Sequence, residues 1–121
     1  MKKTKMSIRK KMDKRWSELV KERAGYKCEK CGTKKKRLHS HHIMGRRILQ
    51  TRWYLPNGMC LCSSCHKFSV KFSAHETPLL YVFWVLEKRG TMWLTKLMNK
   101  FKKKKKYSLE DYIKMYKGLN R

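Results

Sequence analysis

Acidic residues are scarce in this chain, which carries 8 Asp and Glu residues against 33 Lys and Arg residues. The formal net charge is +25 at pH 7. So large an excess of one sign destabilises a compact chain by self-repulsion unless a polyanion is the working partner. We therefore expect a nucleic acid as the partner, with an anionic membrane surface as the second candidate.

Long apolar runs are missing as well. The longest one, from Leu79 to Leu86, is far shorter than the roughly 20 residues that a membrane-spanning helix needs. The segment from Met1 to Arg23 is basic throughout, unlike a secretory signal peptide. Both absences weaken the membrane alternative and disfavour a secreted protein.

Five cysteines are present, and four of them form two Cys-x-x-Cys pairs, Cys28 with Cys31 and Cys62 with Cys65. Four thiolates in two tight turns are typical of a structural zinc site, which suits a 121-residue chain that buries only a modest core. An odd total argues against a secreted disulfide framework and for a reducing cytoplasm. We expect the fifth thiol, Cys60, to be a small buried apolar residue.

A second set of polar residues lies between and beside the cysteine pairs. The chain reads Leu38-x-x-His41-His42-Ile43, then Asn57, then Leu61-Cys62-x-x-Cys65-His66. This pattern resembles the zinc-containing branch of the HNH endonucleases, which have the ββα-metal (His-Me finger) fold. The resemblance is close over residues 25–75. It is weaker over 75–93, which is similar to the helical extension of small phage and homing-type HNH proteins.

The resemblance implies a role for each polar residue of this stretch. His41 and His66 would bind one divalent ion, Mg²⁺ or Mn²⁺, and His42 would be the general base that takes a proton from the attacking water. Asn57 would hold the loop and the imidazole of His42 in orientation. Histidine titrates near neutral pH and a metal ion stabilises charge on a phosphate, which suits this chemistry. Two imidazoles are a sparse ligand set for a hard ion, so we expect weak metal binding without DNA.

Two further histidines leave alternatives open. Strict strand alternation places His39 and His41 on one face and His42 on the other, which makes His39 a rival for the base. The resemblance resolves this by placing the histidine pair at the end of its strand. His75 lies nine residues after His66, too far along for the next turn of the same helix. If it approaches the site, it is either an extra ligand or a phosphate contact.

The expected fold class is α+β, a small ββα-metal module with a four-cysteine zinc site and flanking N- and C-terminal helices. We divide the chain into a basic N-terminal helix (1–24), the HNH module (25–75), a helical extension (76–101) and a lysine-rich hinge with a C-terminal helix (102–121). No internal repeat is visible.

Local patterns predict the boundaries of several elements. Apolar residues recur at helical spacing in the first helix, at Ile8, Met12, Trp16, Leu19 and Val20. Ser7 is the expected N-cap of this helix, and Gly25 its end. Asn57-Gly58 indicates a tight turn between the two strands, and 44–56 is expected to be a loop. A helix beginning at Ser63 or Ser64 should carry Cys65, His66, Phe68 and Phe72.

The helix of Leu79 to Leu86 is apolar on almost every side and ends at Gly90. We expect it to be buried against the N-terminal helix or a second protomer, so that a homodimer is possible. Ser108 to Asp111 resembles a capping box for a last helix.

Basic residues outside the histidine cluster are candidates for DNA phosphate contacts. Those of the 44–56 loop either contact the backbone of DNA or hold the loop on the core, and their pattern is compatible with both. The candidates are Lys34, Lys35, Lys36, Arg37, Arg46, Arg47, Arg52, Lys102, Lys103, Lys104, Lys105 and Lys106.

The sequence thus predicts a metal-dependent HNH DNA endonuclease that nicks or cuts duplex DNA. It would be phage-encoded or of the homing type, and would work in the host cell cytoplasm if phage-encoded. The alternative is a non-catalytic zinc-ribbon DNA-binding protein, such as a regulator or a packaging accessory. No motif indicates which residues would contact the edges of DNA bases, so no target sequence is predicted.

Overall fold

The computed structural model describes residues 4–121, which combine helices with one two-stranded antiparallel sheet. The mixed α+β class predicted from the sequence is therefore confirmed. In chain order the elements are α1 (Lys5–Arg23), β1 (Leu38–His42), α2 (Leu49–Arg52), a 3-10 turn (Leu55–Asn57), β2 (Gly58–Cys62), a π-helical turn (Ser64–Phe68), α3 (Pro78–Lys102) and α4 (Leu109–Leu119).

Strand β2 lies between two small hydrophobic cores, and all five of its residues are buried. Because side chains alternate along a strand, Met59 and Leu61 pack with Tyr81 and Val85 of α3, while Cys60 packs on the α1 side. The strand pairing sets His41 opposite Met59 and His42 opposite Gly58. The sheet therefore separates the two cores.

Helix α1 buries an apolar stripe at four-residue spacing, as predicted. Its N-cap is Thr4 and not Ser7, because the hydroxyl of Thr4 accepts from the backbone N–H of Ser7 while the hydroxyl of Ser7 accepts from that of Thr4. The helix ends just before Gly25, whose φ of 68° is easily adopted only by glycine. The buried residues of the stripe are Ile8, Met12, Trp16 and Val20.

Gly58 has a packing role that the predicted turn did not anticipate. It opens β2 with an extended backbone, so it is not a turn residue. A Cβ atom there would lie 2.8 Å from the ring of Trp16 and would overlap Val20. Glycine is needed because β2 approaches α1 too closely for any side chain.

The predicted helix of the ββα unit is much shorter than expected. It is a five-residue π-helical turn that ends at Phe68, so Phe72 lies outside it. The hydroxyl of Ser69 accepts from the backbone N–H groups of Lys71 and Phe72, which closes a turn and stops the helix. The 44–56 segment is also not a pure loop, since it contains α2.

Helix α3 is interrupted at Gly90 (φ 83°, ψ 174°), in agreement with the predicted end of its first part. The predicted burial of that part against the N-terminal helix is wrong, since Leu79 is 68% exposed and Phe83 57% exposed, and only Tyr81 and Val85 reach the core. Burial against a second protomer stays a prediction. α3 packs on the core beneath the sheet, and α1 is covered by α4 instead. Among the described residues no helix combines the length and apolarity needed to cross a membrane.

Helix α4 begins with the predicted capping box. The hydroxyl of Ser108 accepts from the N–H of Asp111, and the Asp111 carboxylate accepts from the N–H of Ser108. Tyr112 is buried with its ring 5.6 Å from that of Trp53, and Arg15 of α1 donates to the carbonyl of Leu119. The last helix is therefore docked on α1.

Candidate functional site

The two cysteine pairs meet at one point. The four Sγ atoms lie within 4.8 Å of one another. The backbone N–H of Cys31 points at the Cys28 sulfur and that of Cys65 at the Cys62 sulfur, each at 3.5 Å, so the two turns have the same geometry. The Cys31 and Cys62 sulfurs are 3.7 Å apart, close to the edge of about 3.8 Å that a tetrahedron with Zn–S of 2.3 Å requires. These residues fit a structural metal ion such as zinc.

The surroundings distinguish Cys28 from the fifth thiol, Cys60. Burial raises the pKa of Cys28, but the backbone N–H groups directed at its sulfur outweigh burial and lower that pKa to about 7. Burial raises the pKa of Cys60 to about 11, and its side chain is fully enclosed. The prediction that Cys60 is a small buried apolar residue is confirmed.

Three imidazoles form a second cluster about the carboxyl-terminal end of β1. Nε2 of His66 is 3.1 Å from Nδ1 of His41 and 3.1 Å from Nε2 of His75. One nitrogen from each ring lies within 4.8 Å of the others, so this group could also hold a metal ion. Of the two roles left open for His75, its position fits that of a ligand.

The backbone fixes two of these histidines relative to each other. His66 directly follows Cys65 in the π-helical turn, and His75 donates its backbone N–H to the carbonyl of His66 at 3.0 Å. The hydroxyls of Ser73 and Thr77 close a turn around His75. Ser73 Oγ accepts from the backbone N–H of Glu76, and Thr77 Oγ1 accepts from the N–H of Ser73 and donates to the Ser73 carbonyl. The four cysteines Cys28, Cys31, Cys62 and Cys65 are called the cysteine knuckle below. The knuckle and the Ser73–Thr77 turn together position the histidine cluster.

His41 and His66 are held in their neutral form. Burial, together with the neighbouring imidazoles, lowers the pKa of His41 to about 3 and that of His66 to about 4. Neutral rings offer free lone pairs at pH 7. The cluster opens into a cleft of about 560 Å³ whose walls include His41, His42, His66 and Tyr81.

His42 lies on the opposite face of β1 from His41, as alternation requires, yet it lines the same cleft because it is the last residue of the strand. Its ring stacks on Trp16 at 4.0 Å, and its Nε2 is 3.0 Å from the carbonyl oxygen of Arg52. A carbonyl only accepts, so Nε2 donates and Nδ1 keeps a free lone pair. Burial lowers the pKa of His42.

Asn57 is fully buried and ties the loop after β1 together. Its Oδ1 accepts from the backbone N–H of Met44, and its Nδ2 donates to the carbonyls of Met44 and Thr51. The expected grip on the loop is therefore present. The imidazole of His42 is bonded to the Arg52 carbonyl and not to the Asn57 side chain, so Asn57 acts on that ring only through the loop.

His39 contacts the cluster from its edge. Its ring centroid lies 4.9 Å from that of His66, but its nitrogens are not among the three that converge. Burial and the nearby Arg37 lower its pKa.

The residues predicted to contact phosphate are exposed, with the exception of Arg52. Arg52 is only 8% exposed, and its guanidinium forms two hydrogen bonds with Asp13, at 2.6 and 2.9 Å. It therefore holds the loop on the core and is not a phosphate contact, which corrects the prediction. The others are exposed: Lys34, Lys35, Lys36, Arg37, Arg46, Arg47 and Lys102 to Lys106.

Several residues around the site were missed by sequence reasoning. Tyr81 packs edge-on against His41 at 5.2 Å, with its hydroxyl buried and unpartnered among the described residues. Trp16 and Asp13 support His42 and the loop from α1. One sequence signal could have identified Asp13. It is one of only 8 acidic residues in a chain with 33 Lys and Arg residues, so a basic partner is expected for it.

Comparisons with protein-family models, with curated proteins and with solved structures found no match to this chain. A function for this chain is therefore inferred from the geometry and chemistry of the site.

Proposed function

We propose that this protein is a metal-dependent HNH-type DNA endonuclease with the ββα-metal arrangement, phage-encoded or of the homing type. One observation carries the proposal: His41, His42 and His66 line a single open cleft, with Arg46 and Lys67 also in its walls. Imidazoles beside cations suit a phosphodiester, because the cations attract the phosphate and the imidazoles supply ligands and a base.

His41 and His66 hold the catalytic divalent ion in this proposal. When bound, the ion would supply Lewis-acid stabilisation of charge on the phosphate and on the leaving oxygen. Structural zinc in the cysteine knuckle has a separate task. It fixes Cys65, and so fixes His66, which is the next residue in the chain.

His42 is the general base. Its Nδ1 takes a proton from the attacking water, since Nε2 already donates to the Arg52 carbonyl. The stack on Trp16 and this hydrogen bond prevent the ring from turning away. Asn57 and the Arg52–Asp13 pair hold the loop that carries the Arg52 carbonyl.

A plasmid-nicking assay with divalent ions, with and without a chelator, tests the proposal. General bases contribute about 10²- to 10⁴-fold in rate, so His42→Ala should nick supercoiled plasmid more slowly by a factor of that order while still binding DNA. His39→Ala is the matched control, because it removes a histidine of the same strand that lies outside the converging group, and it should keep the wild-type rate.

Two results would count against this assignment. Wild-type nicking by His42→Ala would move the base to another group. DNA binding by the wild-type protein without nicking under any divalent ion would favour the non-catalytic zinc-ribbon alternative.

A further inference from the structure

The site holds one more imidazole than the two-ligand arrangement needs. His75 comes from the turn that precedes α3, nine residues beyond His66. Its side chain is exposed at the cleft, whereas its backbone is bonded to His66 and enclosed by the Ser73–Thr77 turn. Ser73 itself is fully buried. The position of His75 is thus determined by the fold and is not that of a free surface side chain.

Hydrogen bonding alone does not satisfy the three rings. A neutral imidazole has one donor and one acceptor nitrogen. Nε2 of His66 faces a nitrogen of His41 and a nitrogen of His75, both at 3.1 Å, but a single nitrogen either donates one proton or offers one lone pair. At least one of these contacts therefore lacks a proper hydrogen bond, whereas a cation between the rings would use a lone pair from each.

The spacing agrees with shared coordination. Nitrogens bound to one ion at about 2.05 Å lie roughly 2.9 to 3.4 Å apart in octahedral or tetrahedral geometry. The two contacts of 3.1 Å fall in that range.

The donor chemistry indicates which class of ion would bind. No Asp or Glu is among the described residues that line this cleft. Mg²⁺ prefers carboxylate and water oxygens, whereas imidazole nitrogens suit Zn²⁺, Ni²⁺ and related ions. Three neutral nitrogens make an unfavourable cage for a hard ion.

We propose that His75 is the third protein ligand of this ion and that the site selects a late first-row transition metal, not Mg²⁺, and binds it before DNA arrives. The inference rests on the proposed function only in assigning the ion to cleavage. It replaces the expectation of weak Mg²⁺ or Mn²⁺ binding with that of a preformed three-histidine site.

Calorimetric titration of protein loaded with one Zn²⁺ per chain, bound by the four cysteines, with Ni²⁺ and, separately, with Mg²⁺ tests this without measuring cleavage. The wild-type chain should bind one Ni²⁺ in the absence of DNA and show far weaker binding of Mg²⁺. Losing a residue that only orients a ligand costs 10- to 100-fold in metal affinity, so losing the ligand in His75→Ala should weaken Ni²⁺ binding by about 100-fold or more. His39→Ala should bind Ni²⁺ as the wild type does.

Ni²⁺ binding by His75→Ala at wild-type affinity, or Mg²⁺ binding as tight as that of Ni²⁺, would overturn the inference. A second measurement uses the wild-type chain and so does not depend on the folding of the variant. One equivalent of Ni²⁺ should broaden the ring signals of His75 in the NMR spectrum. Unaffected His75 signals would also overturn the inference. Tight Ni²⁺ binding without nicking would leave the inference standing and defeat the proposed function.

Discussion

Asp13 is the residue that connects helix α1 to the segment between β1 and β2. Its carboxylate accepts hydrogen bonds from the guanidinium of Arg52 and from the indole N–H of Trp53, and Arg46 lies 3.5 Å away. Arg52 in turn supplies the carbonyl that binds His42. One acidic side chain thus stabilises both the loop and the orientation of the proposed base.

Stability should depend on pH through this carboxylate. Burial raises the pKa of Asp13, but Arg52, Trp53 and Arg46 outweigh burial and hold it below its ordinary value of 3.8. A depressed folded pKa stabilises the protein above the unfolded pKa, and this contribution is lost as pH falls through the folded pKa. Asp13→Asn should therefore lower the free energy of unfolding by about 1 to 3 kcal/mol at pH 7.

Urea denaturation of the wild type and of Asp13→Asn at pH 7 and at pH 3 measures the effect. The difference between the two proteins should shrink at the lower pH. A difference that stays constant between these pH values would show that the charge of Asp13 is not what stabilises the loop.

At the scale of elements, the cysteine knuckle joins pieces that come from separate parts of the chain. It connects the segment after α1 with the end of β2 and the π-helical turn. Glu29, between its first two cysteines, pairs with Arg89 of α3 and accepts from the backbone N–H of Cys60. Lys30 lies over the ring of Phe72 at 4.5 Å. Metal binding should therefore order far more than the four ligands.

Removing one thiolate should unfold the module. Zinc binding contributes about 10 to 16 kcal/mol in zinc-finger peptides, and this free energy is coupled to folding. We expect Cys31→Ser to lose zinc, measured by atomic emission, and native near-ultraviolet dichroism. Cys60→Ala is the matched control, since it removes a buried thiol outside the cluster and should keep one zinc per chain. A folded, zinc-free Cys31→Ser protein would refute a structural role for the metal.

At the scale of the whole molecule, the net charge of +25 reflects its many Lys and Arg residues, of which Arg52 is the only buried one among residues 4–121. The lysines from Lys102 to Lys106 lie between α3 and α4 and are exposed. The helix that follows them buries Tyr112 against α1. The C-terminal region therefore contains two separable parts, a lysine-rich segment that is exposed and a helix that packs on the core.

Two variants separate these parts. Replacing Lys102 to Lys106 by Gln should flatten the dependence of log affinity on log salt by about 0.9 for each lysine that contacts a phosphate, without lowering the melting temperature. Tyr112→Ala should leave that slope unchanged and lower stability by about 3 to 5 kcal/mol. DNA binding at several salt concentrations and thermal denaturation give both quantities. An unchanged slope in the lysine variant would mean that the segment does not contact DNA.

The sequence by itself determined the features that depend on neighbours along the chain. The cysteine spacing predicted the knuckle, the four-residue repeat predicted the stripe of α1, and the capping box at Ser108 predicted the start of α4. These are local properties, since turn geometry and helical periodicity follow from a few consecutive residues.

Only the tertiary structure decided which distant groups meet. His75 joins His41 and His66 because a turn and two backbone hydrogen bonds fold it back, and nothing in its spacing fixes that return. Arg52 resembles the other basic residues in the sequence, yet its pairing with Asp13, 39 residues away, removes it from the exposed basic surface. The exposed face of α3 and the need for glycine at position 58 likewise depend on how closely the helices approach the sheet. Such approaches are set by packing between residues that are distant in the sequence, and local propensity does not predict them.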